Sequence, residues 1–128
     1  MFNEIKYFIQ RGKMGYSDRD KWDISSYWGE IMPALLRTLK ESRGCPSDFY
    51  DSERVNDECW KWNEALEEMA QGFEAANWIK NNTACRKLVL NEKGEKELSY
   101  DWKSVEQAEE KMKKGLQLFV NNYLSLWD

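Results

Sequence analysis

The sequence predicts a mainly α-helical domain: a helical bundle of three long helices behind a short N-terminal one, with a small β-hairpin near residues 86–100. Three observations lead there. Apolar residues recur at helical spacing over most of the chain. Only 7 glycines and 2 prolines interrupt it. With 128 residues, 41% of them hydrophobic, one core can be buried without a metal or a disulfide. The reading is a single helical domain, 1–128.

Phe2, Ile5, Phe8 and Ile9 give a short amphipathic helix over 2–11, which Gly12 and Gly15 interrupt. Ser17 then caps a second helix, its hydroxyl accepting from the Asp20 amide. Ile24, Trp28, Ile31, Met32, Leu35 and Leu39 lie within about 60° of one line at 100° per residue. They predict a core helix from about 18 to 42, kinked at Pro33. Gly44 and Pro46 stop it, and a polar, acidic loop follows over 44–55. Asn56 reads as the next N-cap, with Val55 and Trp60 placed as a hydrophobic staple. Trp62, Leu66, Met69, Phe73 and Ala76 form the buried stripe of a helix over 57–79. Leu88, Leu90, Leu98 and Tyr100 alternate around a turn containing Gly94. A two-stranded hairpin is marginal alone, so it is expected to lean on the helices. Ser104 with Gln107 fits a capping box, and Val105, Ala108, Met112, Leu116, Phe119, Tyr123 and Trp127 hold one face of the last helix for six turns.

Composition narrows the chemistry. Lys and Arg total 19 against 23 acidic residues, a net charge of −4 shared equally by the two halves. Direct nucleic-acid binding is not expected, since counterion release rewards a basic excess. There is no histidine, so Ser-His-Asp and Cys-His catalysis and His-ligated zinc are excluded. Cys45, Cys59 and Cys85 are an odd number with no C-x-x-C pair, so three reduced thiols are expected. No apolar run approaches the ~18 residues of a membrane span, and Met1–Ile9 is too polar for a signal peptide. Phosphate-loop, dinucleotide-binding, EF-hand and nucleophile-elbow motifs are absent. No cofactor, metal site or catalytic residue is expected, and no membrane partner.

The carboxylates are the test case for chemistry. All-α nucleotide pyrophosphatases of the MazG type hold Mg²⁺ between E-x-x-E and E-x-x-D on facing helices. Glu64, Glu67 and Glu68 supply the first half. They lie roughly 140–200° from the apolar stripe, toward solvent, whereas metal-binding acids in a bundle project inward. The second half is missing, because Glu97 to Asp101 is one residue too long. Asp18, Asp20 and Asp23 form a further acidic cluster, of which a helix N-terminus explains the first two and a metal site is the functional alternative. Arg37, Lys40 and Arg43 read as a basic helix end, with phosphate binding there the functional alternative.

Aromatic residues that miss the core stripes point to a contact surface. Trp60 and Trp78 are five helical turns apart and share one azimuth, about 160° from the Trp62–Leu66–Phe73 stripe. With Asp48, Tyr50 and Asp51 of the acidic loop they form the expected partner-binding surface. Trp22 and Tyr27 also miss their stripe and either cap the Gly12–Tyr16 loop or join that surface.

The run Arg11-Gly12-Lys13-Met14-Gly15-Tyr16-Ser17-Asp18-Arg19-Asp20-Lys21-Trp22 resembles an R-G-x-x-G-Y-S-D-x-D-x-W segment of small proteins encoded by tailed bacteriophages and prophages. Gly44-Cys45-Pro46 (with Cys45 where an aromatic is expected), Met69–Glu74, Gly115–Phe119 and the Leu124–Asp128 ending agree in order; residues 80–100 do not match. The resemblance implies a phage-encoded protein of the host bacterial cytoplasm. It brings no activity, cofactor or catalytic residue. The expected function is therefore that of a non-enzymatic phage accessory protein that binds a host or phage protein and inhibits a defence or nucleic-acid enzyme. A MazG-like Mg²⁺-dependent pyrophosphatase and a virion or assembly component stay open. A homodimer is among the expected partners.

Overall fold

The computed structural model describes residues 2–41, 44–81 and 86–127. It is mainly α, with one small antiparallel sheet. Five helices appear in order: α1 (Phe2–Met14), α2 (Asp18–Trp22), α3 (Ile24–Thr38), α4 (Trp60–Asn81) and α5 (Trp102–Asn121). Strands β1 (Arg86–Leu90) and β2 (Lys96–Tyr100) lie between α4 and α5, and no described helix is long and apolar enough to cross a membrane.

α4 is the central element, packing against both α3 and α5. Trp62, Leu66 and Met69 of its predicted stripe are buried as expected, and Phe73 packs against them. Ala65, Ala70, Gly72 and Ala75 are buried as well, because this helix is covered on two sides and needs small residues where neighbours come close. α5 comes closest at Gly72 and Gly115. A Cβ on Gly115 would stand 2.7 Å from the Gly72 Cα and 2.5 Å from the Glu68 carbonyl oxygen. Only glycine permits that approach.

The core is smaller than the apolar periodicity predicts. Met32 and Leu36 of α3 are buried, and Ile31 and Leu39 pack partly against the core. Ile24, Trp28 and Leu35, expected inside, are exposed. Their stripe is turned about 120° from the face that meets α4. The expected 18–42 helix is instead α2 and α3, parted at Asp23. The Asp23 carboxylate accepts from the Ser26 amide and hydroxyl and starts a new helix in mid-pattern. α3 then runs on through Pro33.

Two further caps differ from expectation. Asn56 has a φ of 69° and sits in a turn, Val55 is exposed, and α4 begins at Trp60, so the staple does not form. α5 is capped by Asp101, whose side chain accepts from the Ser104 amide and hydroxyl. It ends at Asn121, short of the expected six turns, leaving Tyr123 and Trp127 exposed. The thiols differ too: Cys45 and Cys59 form a disulfide, with Cα atoms 5.7 Å apart. It clasps the acidic loop against the core beside Phe49, whose ring meets Trp62 at 5.0 Å. Cys85 lies outside the described residues.

The R-G-x-x-G-Y-S-D-x-D stretch builds a corner. Ser17 and Asp20 form the capping box of α2: the Ser17 amide and hydroxyl donate to the Asp20 carboxylate, at 2.7 and 2.9 Å. Arg11 grips the same carboxylate at 2.8 and 2.6 Å and reaches Glu30 of α3. One guanidinium thus ties α1, α2 and α3. It holds the Asp20 carboxyl far below the usual carboxylate range. Gly15, at a φ of 81°, makes the bend, and the Tyr27 hydroxyl donates to its carbonyl.

Candidate functional site

The hairpin forms in the expected place. Leu88 faces Leu98 and Leu90 faces Lys96 across an antiparallel ladder. Asn91 organises its turn, the side-chain oxygen accepting from the amides of Lys93 and Glu95. Its surroundings are not as expected. The strands pack on each other and neither makes an extended contact with a helix. Leu88 and Leu90 are 70% and 71% exposed, and Leu98 and Tyr100 are exposed beside them. Residues 88, 90, 98 and 100 share one face by the strand period of two. The ribbon does not lean on the bundle along its length, and Leu88, Leu90 and Leu98 stay exposed.

β2 runs through Asp101 into α5, where Tyr100 and Trp102 stack at 5.3 Å. Ser104, Gln107, Ala108 and Lys111 of α5 then form one wall of a groove whose other wall is Gln71, Glu74, Ala75 and Trp78 of α4. Its volume is about 440 Å³. Ala75 and Ala108 are its small apolar residues, Trp78 lines it with 39% of its surface exposed, and the Gln71 and Gln107 amides are among its polar groups. An indole beside small apolar residues and polar groups suits a side chain or short segment from another protein.

The other predicted contact residues do not join this groove. Trp60 lies 18 residues before Trp78 on α4, roughly 27 Å away along the axis. Its indole N–H donates to Asp51 at 2.8 Å, with the Arg54 guanidinium over the ring at 4.6 Å. Asp51, held low first by Trp60 and then by the Glu53 amide, also takes the Glu58 carbonyl through its own N–H. Trp60 and Asp51 therefore fasten the disulfide loop. Asp48 and Tyr50 are exposed on it. Tyr27 braces the Gly15 bend, as one of its two predicted roles required, and Trp22 is exposed at the end of α2.

The acids hold the bundle together. Glu67, expected to face solvent, accepts from Arg37 at 3.0 and 3.1 Å and from Lys40, joining α4 to the end of α3. Arg37 and then Lys40 lower its carboxyl to about 2. Glu68 pairs with Lys114 at 3.3 Å, and Glu64 is exposed. Arg37 and Lys40 are thus committed to carboxylates, and Arg43 lies outside the described residues. Among the described residues no three acids or cysteines converge as a metal site.

Comparison with known proteins brings no match. No family model, no curated protein and no solved structure matches the chain. The reading of function rests on the surface just described.

Trp78 is legible in the sequence as an aromatic off the core stripe; its groove neighbours are not. Ala75 and Ala108 are small residues, whose place in a groove follows only once α4 and α5 are docked. The hairpin face was visible as alternation, but nothing local says whether a helix covers it.

Proposed function

We propose that this chain acts by binding another protein, using the hairpin as an arm and the α4–α5 groove as the adjoining pocket. The observation that carries the reading is the exposed Leu88–Leu90–Leu98 face on a ribbon whose strands make no extended contact with a helix. An isolated two-stranded ribbon with an apolar side is marginal in water, and a partner laid on that side stabilises it. Trp78 supplies an anchor of the type most enriched at interface centres. The phage resemblance makes the partner a host or phage protein, and inhibition of a defence or nucleic-acid enzyme is the role this reading favours.

The test is capture from phage-infected cells with the tagged chain, comparing wild type with Trp78→Ala and with Leu88→Ser plus Leu90→Ser. A named partner should be retained by wild type and weakened at least about 30-fold by either variant, the loss of a hot-spot residue of ~2 kcal/mol. Thermal midpoints should change little, since these side chains leave the core untouched. Equal capture by all three proteins would remove the reading. Mass spectrometry of purified particles separates a free accessory protein from a virion component.

A further inference from the structure

α1 is an amphipathic helix mounted with its polar side inward. Glu4 pairs with Arg19, Tyr7 lies under the Arg19 guanidinium at 5.0 Å, Gln10 bonds Asp18, and Arg11 grips Asp20 and Glu30. At 100° per residue, Phe2, Ile5 and Ile9 fall on roughly the opposite side, with Phe8 at the edge between the two. Phe2 is 86% exposed and Phe8 80%, and no residue of α1 is buried. A surface helix normally turns its apolar stripe to the core and its charges to water. Here the ion pairs are spent on attachment and the stripe is left over.

α3 carries a second leftover stripe: Ile24, Trp28 and Leu35 are exposed, with Ile31 between them half-buried. These four residues are spaced 4, 3 and 4 apart, and Phe2, Ile5, Ile9 and Gly12 are spaced 3, 4 and 3. Both are two-heptad seams of the coiled-coil kind. They have matching lengths, about 15 Å and 16 Å at the helical rise, and neither contains a charged residue. Beside the α3 stripe lies a cleft of about 270 Å³ lined by Tyr16, Ile24, Tyr27 and Trp28 with Asp20 and Lys21 among them, where the rings offer contact to an aromatic side chain.

The area points the same way. A folded monomer of 15.3 kDa is expected to expose roughly 7,100 Å², whereas this chain exposes 9767 Å². The seven exposed side chains of the two stripes account for roughly 800 Å², the contribution of one partner to a standard-size interface.

We infer that the occupant of both stripes is a second copy of this chain, joined about a two-fold axis so that α1 of each copy lies on α3 of the other. α1 keeps its polar side on its own α2 and gives its outward side to the partner. A two-fold pairing covers all four stripes at once, because each copy both donates and receives. Phe8 of one copy enters the Tyr16–Trp28 cleft of the other. The interface is separate from the hairpin and its groove, so it stands or falls independently of the binding function above.

Light scattering on eluting protein at tens of micromolar tests this, with wild type, Phe8→Glu and Leu35→Glu compared. Wild type should weigh about twice 15.3 kDa, and each variant 15.3 kDa with unchanged helical circular dichroism. A photo-crosslinking p-benzoylphenylalanine in place of Phe8 should join two copies, with the adduct on the 16–35 segment. Monomeric wild type overturns the proposal. So does a dimer that survives both substitutions, or an adduct formed within one chain or elsewhere on the partner. Should either Glu variant lose its helical signal, the crosslink position decides alone.

Discussion

Gly115→Ala sets two effects against each other. Helix propensity alone favours alanine by about 1 kcal/mol in a helix interior. The α4–α5 contact opposes it. The new Cβ would lie 2.5 Å from the Glu68 carbonyl oxygen and 2.7 Å from the Gly72 Cα, about 1 Å inside ordinary carbon contact distances. The obstructing atoms are main chain, so no rotamer relieves the clash and α5 must back away along its length. The Phe73–Phe119 edge-to-face contact, 5.1 Å between centroids, opens with it. Overpacking of this kind costs about 3 kcal/mol, the upper part of its usual range. The net expectation is a loss of about 2 kcal/mol, a fall of roughly 6–8 °C in thermal midpoint for a domain of this size. Gly12→Ala in α1 is the control, because a Cβ there meets nothing within 4 Å; it should gain up to about 1 kcal/mol. Circular-dichroism melts at low concentration measure both. A Gly115→Ala protein melting at or above wild type would refute the close approach of the two helices.

Three more predictions concern charge and the clasp. Arg11→Ala leaves the nearly buried Asp20 carboxylate without its cation and should cost about 3 kcal/mol in urea unfolding, much of it recovered when Asp20 is also replaced by Ala; additive losses would speak against the pair. Glu67 has its carboxyl lowered from 4.5 to about 2 by Arg37 and then Lys40. A depressed acid adds stability that is complete above its unfolded value and fades as pH drops through its folded one. The unfolding midpoint should thus hold from pH 7 to 5 and decline from about pH 4.5 toward 2, with a shallower decline in Glu67→Gln; an identical acid slope in that variant would contradict the ion pairs. Replacing Cys45 and Cys59 by Ser opens a loop of sequence separation 14 and should cost about 3 kcal/mol on the chain-entropy account. A reductant should lower the wild-type melt by a similar amount and leave the double variant unchanged.

Local features were the legible ones. The Ser17 cap, its hydroxyl accepting from the amide three residues on, is local and legible, as is the hairpin around Asn91 and Gly94; the return bond to the Asp20 carboxylate is not. The α4 stripe of Trp62, Leu66 and Met69 was legible because this helix is flanked on two sides, so its period and its burial coincide. Periodicity shows that an apolar face exists and is silent on what covers it. Ile24, Trp28 and Leu35 keep the period of a core helix, yet α4 meets α3 on the Met32–Leu36 side. Where two caps compete within a few residues, the pattern cannot rank them: Asp23 cuts one expected helix in two, and Asp101 takes the role given to Ser104. The disulfide and the Arg11–Asp20 grip depend on chain segments meeting in space. Of the surface proposed for contact, Trp78 and the hairpin alternation are legible, and the α4–α5 groove between them is not. Trp60 keeps the same azimuth but is occupied by Asp51, a partner nine residues earlier in the chain.

Because the described sheet has only two strands, each strand of the ribbon keeps one flank that no further strand covers. A segment of another protein added along such a flank is held by main-chain amides and carbonyls, which every residue type offers alike. Point mutations in a target cannot easily remove such bonds. Any segment held in this way would have to escape by changing shape, because altering side chains alone leaves a backbone within reach.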